Sequence, residues 1–215
     1  NKYVIDKTYI HRYRGTYLNK LKFGNIFLLG EAAHQVPPFA GQGLSTGLRD
    51  AFNLCWKLAC VVKYKFNEQI LNTYEIERVE QIKNTINSSI ALGKLIDSLS
   101  VAFKKNTSLE EAIPPEAREQ AYGNSSLSDV SIKDGFFTNL TSDTYIGKAL
   151  PMAQLKEKGN TLSIDSLLDF KFAIISKMDP EKLLDINTVR LLQEMDVVFI
   201  DISKYDTENS RFEEL

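Results

Sequence analysis

The chain is poor in the residues that build disulfides and metal sites. Two cysteines and two histidines stand among 215 residues. Cys55 and Cys60 lie five apart on an expected helix, on different faces, so no disulfide joins them there. Their spacing matches no metal motif, and both are expected to be packing residues. Two histidines exclude a His-rich metal centre. Charge of one sign is also missing. Lysine and arginine number 26 against 28 acids, a net of −2, and the lysines are interleaved with acids. No basic stripe is left for nucleic acid. No apolar run approaches the ~18 residues that span a bilayer, so no membrane partner is expected. Asn1-Lys2-Tyr3 opens no apolar signal segment, and a cytoplasmic location is the expectation. What is present is an ordinary apolar share, 43%, enough for one large domain or two small ones.

Along the chain, Tyr3-Val4-Ile5 and Thr8-Tyr9-Ile10 read as strand. Phe23-Gly24-Asn25 reads as a turn, and Ile26–Leu29 as a buried strand. From Leu44 the pattern becomes helical, with Leu48, Ala51, Phe52, Cys55, Leu58, Ala59 and Val62 on one stripe. A second helix is expected from near Asn67. Its stripe runs through Ile70, Tyr74, Val79, Ile82, Ile86, Ile90, Leu95 and Leu99, and it ends by Lys104–Thr107. Residues 108–142 are polar, with turns at Pro114-Pro115 and Gly123–Ser126 and room for a short helix over Pro115–Tyr122. After Gly147 the pattern gives a strand at Phe172–Ile175 and a helix opened by Asp179-Pro180-Glu181 and running to about Met195. A strand at Val197–Ile200 completes a βαβ unit. Two parallel strands cannot cover both their faces, so this unit reads as incomplete. Arg211–Leu215 resembles the opening of another helix.

The segment Gly30–Ser45 joins the expected strand to the first helix, and its residue types carry chemistry. A carboxylate at a strand end, Glu31, accepts hydrogen bonds from ligand hydroxyls. Pro37-Pro38 has no backbone donors and a fixed φ, so it forms a stiff wall. Gly41 and Gly43 permit close approach of backbone to ligand. The free N–H groups near Leu44 and Ser45 favour negative charge. From these residues alone, a ligand site and a plain tight loop both fit, because Gly41-x-Gly43-x-x-x-Gly47 is not the dinucleotide fingerprint.

The same residues carry a resemblance. Gly30-Glu31-Ala32-Ala33-His34, Pro37-Pro38, Gly41-Gln42-Gly43 and Asp50-Ala51-x-Asn53-Leu54-x-Trp56-Lys57-Leu58 resemble the second flavin motif of the class A flavoprotein monooxygenases, the FAD-dependent aromatic hydroxylases. Leu71-x-x-Tyr74-Glu75-x-Glu77-Arg78, and Ser89 with Leu92-Gly93, fit the helix that follows in that family. Gly147-x-x-x-Pro151, Leu162-x-x-Asp165-x-Leu167-Leu168 and Phe172-Ala173 are similar to the entry of the thioredoxin-like C-terminal domain of the phenol and 3-(3-hydroxyphenyl)propionate hydroxylase branch.

The resemblance implies an α/β fold. Residues 1–107 would be the C-terminal part of an FAD-binding domain of strands plus long helices. Residues 108–146 would be a connector, and residues 147–215 an incomplete thioredoxin-like domain. It implies that Glu31, where the family usually has Asp, binds the ribityl chain and that Pro37 and Pro38 lie beside the flavin ring. Gly30, which opens this motif, is also implied to be a cofactor-binding residue. Gly41, Gln42, Gly43, Leu44 and Ser45 would face the N1–O2 edge of the ring. The implied activity is hydroxylation of a phenolic substrate with oxygen and NAD(P)H, through a flavin C4a-hydroperoxide; a homodimer is compatible. His34 is expected to be a hydrogen-bonded structural residue, Arg49 and Asp50 to fix the helix, Trp56 to sit in the core, and Glu75 and Arg78 to form ion pairs with neighbours.

Several family features are absent. No Gly-x-Gly-x-x-Gly follows a strand, the middle Asp-Gly motif is missing, and the tail has no Cys-x-x-Cys. No residue stands out as a catalytic acid or base. The chain therefore reads as a fragment inactive alone. The competing readings are a non-catalytic interaction or dimerisation module, a halogenase, and a ubiquinone-pathway hydroxylase.

Overall fold

The structure, a computed structural model, describes residues 7–108, 113, 132, 134–136, 147–157 and 159–207. The expected strand at Tyr3–Ile5, the turns at Pro114-Pro115 and Gly123–Ser126, the helix at Pro115–Tyr122 and the helix opening at Arg211–Leu215 lie outside the described residues. The chain divides into two compact units, Asn1–Lys148 and Ala149–Leu215. No described helix is long and apolar enough to cross a membrane.

The first unit is two long helices against short strands. Strand β1 (Thr16–Tyr17) pairs antiparallel with β4 (His34–Gln35), and β2 (Lys22–Phe23) with β3 (Ile26–Phe27). Gly24 turns the β2–β3 hairpin with φ of +59°, a value glycine adopts without strain. Helix α1 spans Gly43–Tyr64. Helix α2 spans Thr73–Lys105, entered through a 3-10 turn at Glu68–Asn72 that the Asn67 side chain caps. Asn106, at φ +53°, ends α2 in the left-handed region that asparagine tolerates.

Two expectations are corrected here. Residues Thr8–Ile10 are not strand; they are exposed and unpaired in any sheet. The buried strand at Ile26–Leu29 shortens to Ile26–Phe27, with Ile26 and Leu29 exposed. A two-stranded hairpin covers one face of its strands and leaves the other open, so a continuous apolar run cannot be buried throughout.

The core of this unit is Leu21, Ala33, Leu54, Tyr74, Ile82 and Ile86. Helix α2 supplies half of it, and its first turn also ties down the hairpin. Tyr74 donates its hydroxyl to the Leu28 carbonyl at 2.9 Å, and the Glu75 carboxylate accepts the Leu21 and Lys22 amides at 2.6 and 3.2 Å. Glu75 is thus a backbone acceptor, and among the described residues it forms no ion pair of the kind expected of it.

Helix α1 has the expected length, but the opposite face is buried. Its buried residues are Thr46, Asp50, Leu54, Lys57 and Cys60. The expected apolar stripe points largely outward, with Leu48, Phe52, Cys55 and Val62 exposed. Cys60 is a packing residue and burial raises its thiol pKa; Cys55 is not one. Trp56 is half-buried and meets the Phe136 ring edge-on at 6.0 Å.

In the second unit, β5 (Gln154–Glu157) is the centre of an antiparallel sheet of order β6-β5-β9, with β6 at Asn160–Ser163 and β9 at Asp206–Thr207. The short helix α3 (Ile164–Leu168) follows β6. Strands β7 (Ala173–Ser176) and β8 (Val198–Asp201) pair in parallel, Ala173 opposite Val198. Helix α4 (Ile186–Glu194) connects them, so the expected βαβ unit is present. The crossover helix is split, however. Asp179 caps only a 3-10 turn at Pro180–Lys182, and Asp185 then accepts the Asn187 and Thr188 amides to start α4. A second N-cap aspartate stops the first turn from continuing. Leu155, Ile164 and Ile200 join the two sheets in one core with Ala153.

In this 215-residue chain, Ile82→Ala is expected to cost about 3 kcal/mol by urea unfolding, because Ile82 is wholly buried. Val62→Ser, on the stripe that hydropathy marks as core, should cost no more than about 0.5 kcal/mol. Equal costs would show that the buried face of α1 is the apolar one.

Candidate functional site

The loop from Gly30 to Gln42 is held by side chains that reach it from both helices. Gly30 turns the chain at φ +58°, and a 3-10 turn spans Gly30–Ala32. His34 then pairs with Tyr17 across β4 and β1. Pro38–Ala40 forms a second 3-10 turn, and Gly41 at φ +63° leads through Gln42 into α1.

Asp50, two turns inside α1, organises this loop. Its Oδ2 accepts hydrogen bonds from the Gly30 amide at 3.0 Å and from His34 Nε2 at 2.7 Å. Its Oδ1 accepts from Arg78 Nε at 2.7 Å, on α2. Arg78 also hydrogen-bonds Gln81 and reaches the Thr46 carbonyl at 3.4 Å. Asp50, His34 and Arg78 are all buried. Burial alone would raise the Asp50 pKa. The His34 hydrogen bond, the Arg78 charge and the Gly30 amide outweigh it and hold the carboxyl below its ordinary value. His34 is therefore a hydrogen-bonded structural residue, Asp50 fixes the helix, and Arg78 forms the expected kind of ion pair, with Asp50 as its partner.

A second buried charge pair lies beside the first. Lys57 Nζ sits 2.6 Å from Glu77 Oε2, and Asn53 bonds both, at 2.9 Å to Lys57 and 2.6 Å to Glu77. The other Glu77 oxygen accepts the Phe136 amide at 3.0 Å. Burial lowers the Lys57 pKa, and the Glu77 carboxylate opposes that shift. The signal for both clusters was in the sequence: Asp50, Asn53 and Lys57 share a helical face, and Glu77-Arg78 stands opposite. Hydropathy hides it, because paired charges are buried against their usual rank.

The outer side of the loop is open. A Cβ built on Gly30, Gly41 or Gly43 meets nothing within 4 Å. Glu31 is exposed and makes no hydrogen bond or ion pair among the described residues. Pro37 is buried, while Pro38, Gly41, Gly43 and Leu44 are exposed and Gln42 and Ser45 half-buried. The Gln42 side chain at the N-cap position does not cap α1: the Ser45 hydroxyl donates to Gln42 instead, and Thr46 donates to the Gln42 carbonyl at 2.7 Å. The first amides of α1 are left as donors beside open space, with an exposed carboxylate on the neighbouring turn. This arrangement suits a polar ligand with hydroxyls at one end and an electron-rich edge at the other. Among the described residues, no group of three His, Cys, Asp or Glu side chains could hold a metal.

Residues 3–89 match the family model described as the FAD binding domain. The 3-(3-hydroxy-phenyl)propionate/3-hydroxycinnamic acid hydroxylase of Burkholderia cenocepacia strain HI2424 is 32% identical over 183 residues. That match covers 83% of this chain and spans 33% of the length of that relative. The protein of the same description from Escherichia coli strain K12 / DH10B is 38% identical over 93 residues, 43% of this chain and 16% of that one. The solved structure of BexE, studied for oxidation during BE-7585A biosynthesis, is similar with a TM-score of 0.61 at 26% identity. It covers 86% of this chain and 38% of its own.

Asp50→Asn should cost about 3 kcal/mol, since it leaves Arg78 buried without its counter-charge. The carboxyl pKa is depressed on folding, so its contribution is complete above the unfolded value of about 4 and is lost as pH falls through the folded one. Urea unfolding of both proteins at pH 7 and in acid checks this: the gap between them should narrow in acid. A gap that widens in acid would overturn the assignment.

Proposed function

We infer that this chain is the flavin-facing half of an FAD-dependent monooxygenase, because residues 3–89 match the family model described as the FAD binding domain. The observation that supports it is the uncapped N-terminus of α1 beside the open glycines and the exposed Glu31. On this reading Glu31 accepts hydrogen bonds from the ribityl hydroxyls. Pro37 and Pro38 stiffen the wall beside the ring. The amides of Gly43, Leu44 and Ser45 donate to the N1–O2 edge, where the helix dipole favours negative charge, while Gly41, whose own amide is held by the Pro38 carbonyl, and Gln42 bring the chain to that edge.

FAD, reduced by NAD(P)H, supplies oxygen activation when bound. The chain's own part is to bind and orient. Asp50 holds Gly30 and His34 so that Glu31 and the start of α1 keep a fixed relation. The substrate on this reading is a phenol with an acidic side chain, the kind that the Burkholderia relative's description names. Residues 1–107 are then the C-terminal part of the FAD domain and 108–146 the connector. Residues 147–215 form a thioredoxin-like domain, a reading supported by the parallel β7–β8 pair with its crossover helix. Residues 147–215 contain no Cys, so these residues themselves carry no thiol redox chemistry.

A protein that joins this chain to a Gly-x-Gly-x-x-Gly half is expected to bind FAD and to consume NAD(P)H with phenols. Glu31→Ala in it should weaken FAD binding about tenfold, the loss of a charge-assisted hydrogen bond. The 215 residues alone should bind FAD far more weakly. Flavin absorbance after gel filtration checks each statement. A joined protein that retains no flavin and oxidises no NAD(P)H would sink the enzyme reading.

A further inference from the structure

Helix α2 grips the loop before α1 at two points one helical turn apart. The buried Ser89 donates its hydroxyl to the Pro37 carbonyl at 2.6 Å. A Pro-Pro pair has no amide to donate, so a carbonyl is its only backbone handle. One turn on, Gly93 leaves the space that the Phe39 ring fills. A Cβ on Gly93 would lie 2.5 and 2.6 Å from two atoms of that ring. Neither feature serves the core of the unit, whose members on α2 are Tyr74, Ile82 and Ile86. A hydroxyl is not needed in an apolar core, and a glycine inside a helix costs about 1 kcal/mol relative to alanine. Both are accounted for by the loop. Tyr13 meets the Phe39 ring edge-on at 5.9 Å, and Gly41 closes the turn by donating to the Pro38 carbonyl at 2.9 Å.

We propose that Ser89 and Gly93 are positioning residues: through Pro37 and Phe39 they set where the Pro37–Gly41 wall stands, and so tune the environment of the flavin ring. The proposal rests on the reading of this loop as the one beside the flavin. Neither residue touches the cofactor. Ser89 fixes the start of the wall by a directed bond, and Gly93 fixes its depth by the room it leaves.

Hydrogen exchange on the 215-residue chain tests the grip without any cofactor. Ser89→Ala and Gly93→Ala should each speed exchange at Phe39–Gln42 about tenfold, the loss of one buried contact, while Leu21–Leu28 stays at wild-type rates. Phe39→Leu, which shortens the ring, should restore the Gly93→Ala protein and not the Ser89→Ala protein. In the FAD-loaded joined protein, both single variants should shift the flavin absorption band and its reduction potential. Unchanged exchange in the loop, or equal acceleration throughout the unit, overturns the grip. A loosened loop with a wild-type spectrum and potential overturns the tuning. If wild-type protein takes up no flavin, the functional reading and the tuning both fall, and the exchange data still decide the grip.

Discussion

The Asp50 carboxylate is the interaction on which the first unit depends. One side chain accepts from the Gly30 amide, from His34 and from Arg78. These partners sit on the loop, on β4 and on α2, while Asp50 itself sits on α1. A buried carboxylate is costly unless each lone-pair direction is met. Here the cost is offset only when all four segments are in place together. That makes the network a test of correct assembly more than a large source of stability.

The same logic explains the inverted helix. Lys57, two turns after Asp50 on α1, pairs with Glu77, the neighbour of Arg78 on α2, and repeats the Asp50–Arg78 pairing. Two opposite-charge pairs, with Asn53 between them and the Thr46 carbonyl beside Arg78, zip the polar faces of the helices together. The apolar side chains of α1 are left largely on the outside. The loop between strand and helix inherits its shape from this pairing. Its beginning is tied to α1 through Gly30, and its double-proline segment is tied to α2 through Ser89. A ligand meeting the open side of the loop meets a surface fixed from behind at both ends.

Much of the fold was legible along the chain. The Gly24 turn, both long helices and the βαβ order follow from local chemistry that neighbours in sequence decide. The β5–β6 hairpin was not legible, because Gln154–Glu157 alternates one buried leucine with polar residues over four positions only. The split of the α4 crossover was hidden by two equally good aspartate caps six residues apart. The candidate site was legible as a motif, since Pro-Pro and the spaced glycines restrict the backbone directly. Its support was not, because Asp50, Arg78 and Ser89 act across 16 to 52 positions of chain.

What the amino-acid order determined by itself was that two long helices follow the loop, where the chain must turn, and which residues line the loop. Capping, glycine freedom and proline rigidity operate within a few residues, so order alone is enough. What only the tertiary structure decided was which face of α1 is buried and what holds the loop. Periodicity reports a stripe without reporting its partner. A charged stripe is buried when an opposite stripe meets it, and that meeting exists only once α1 and α2 are side by side.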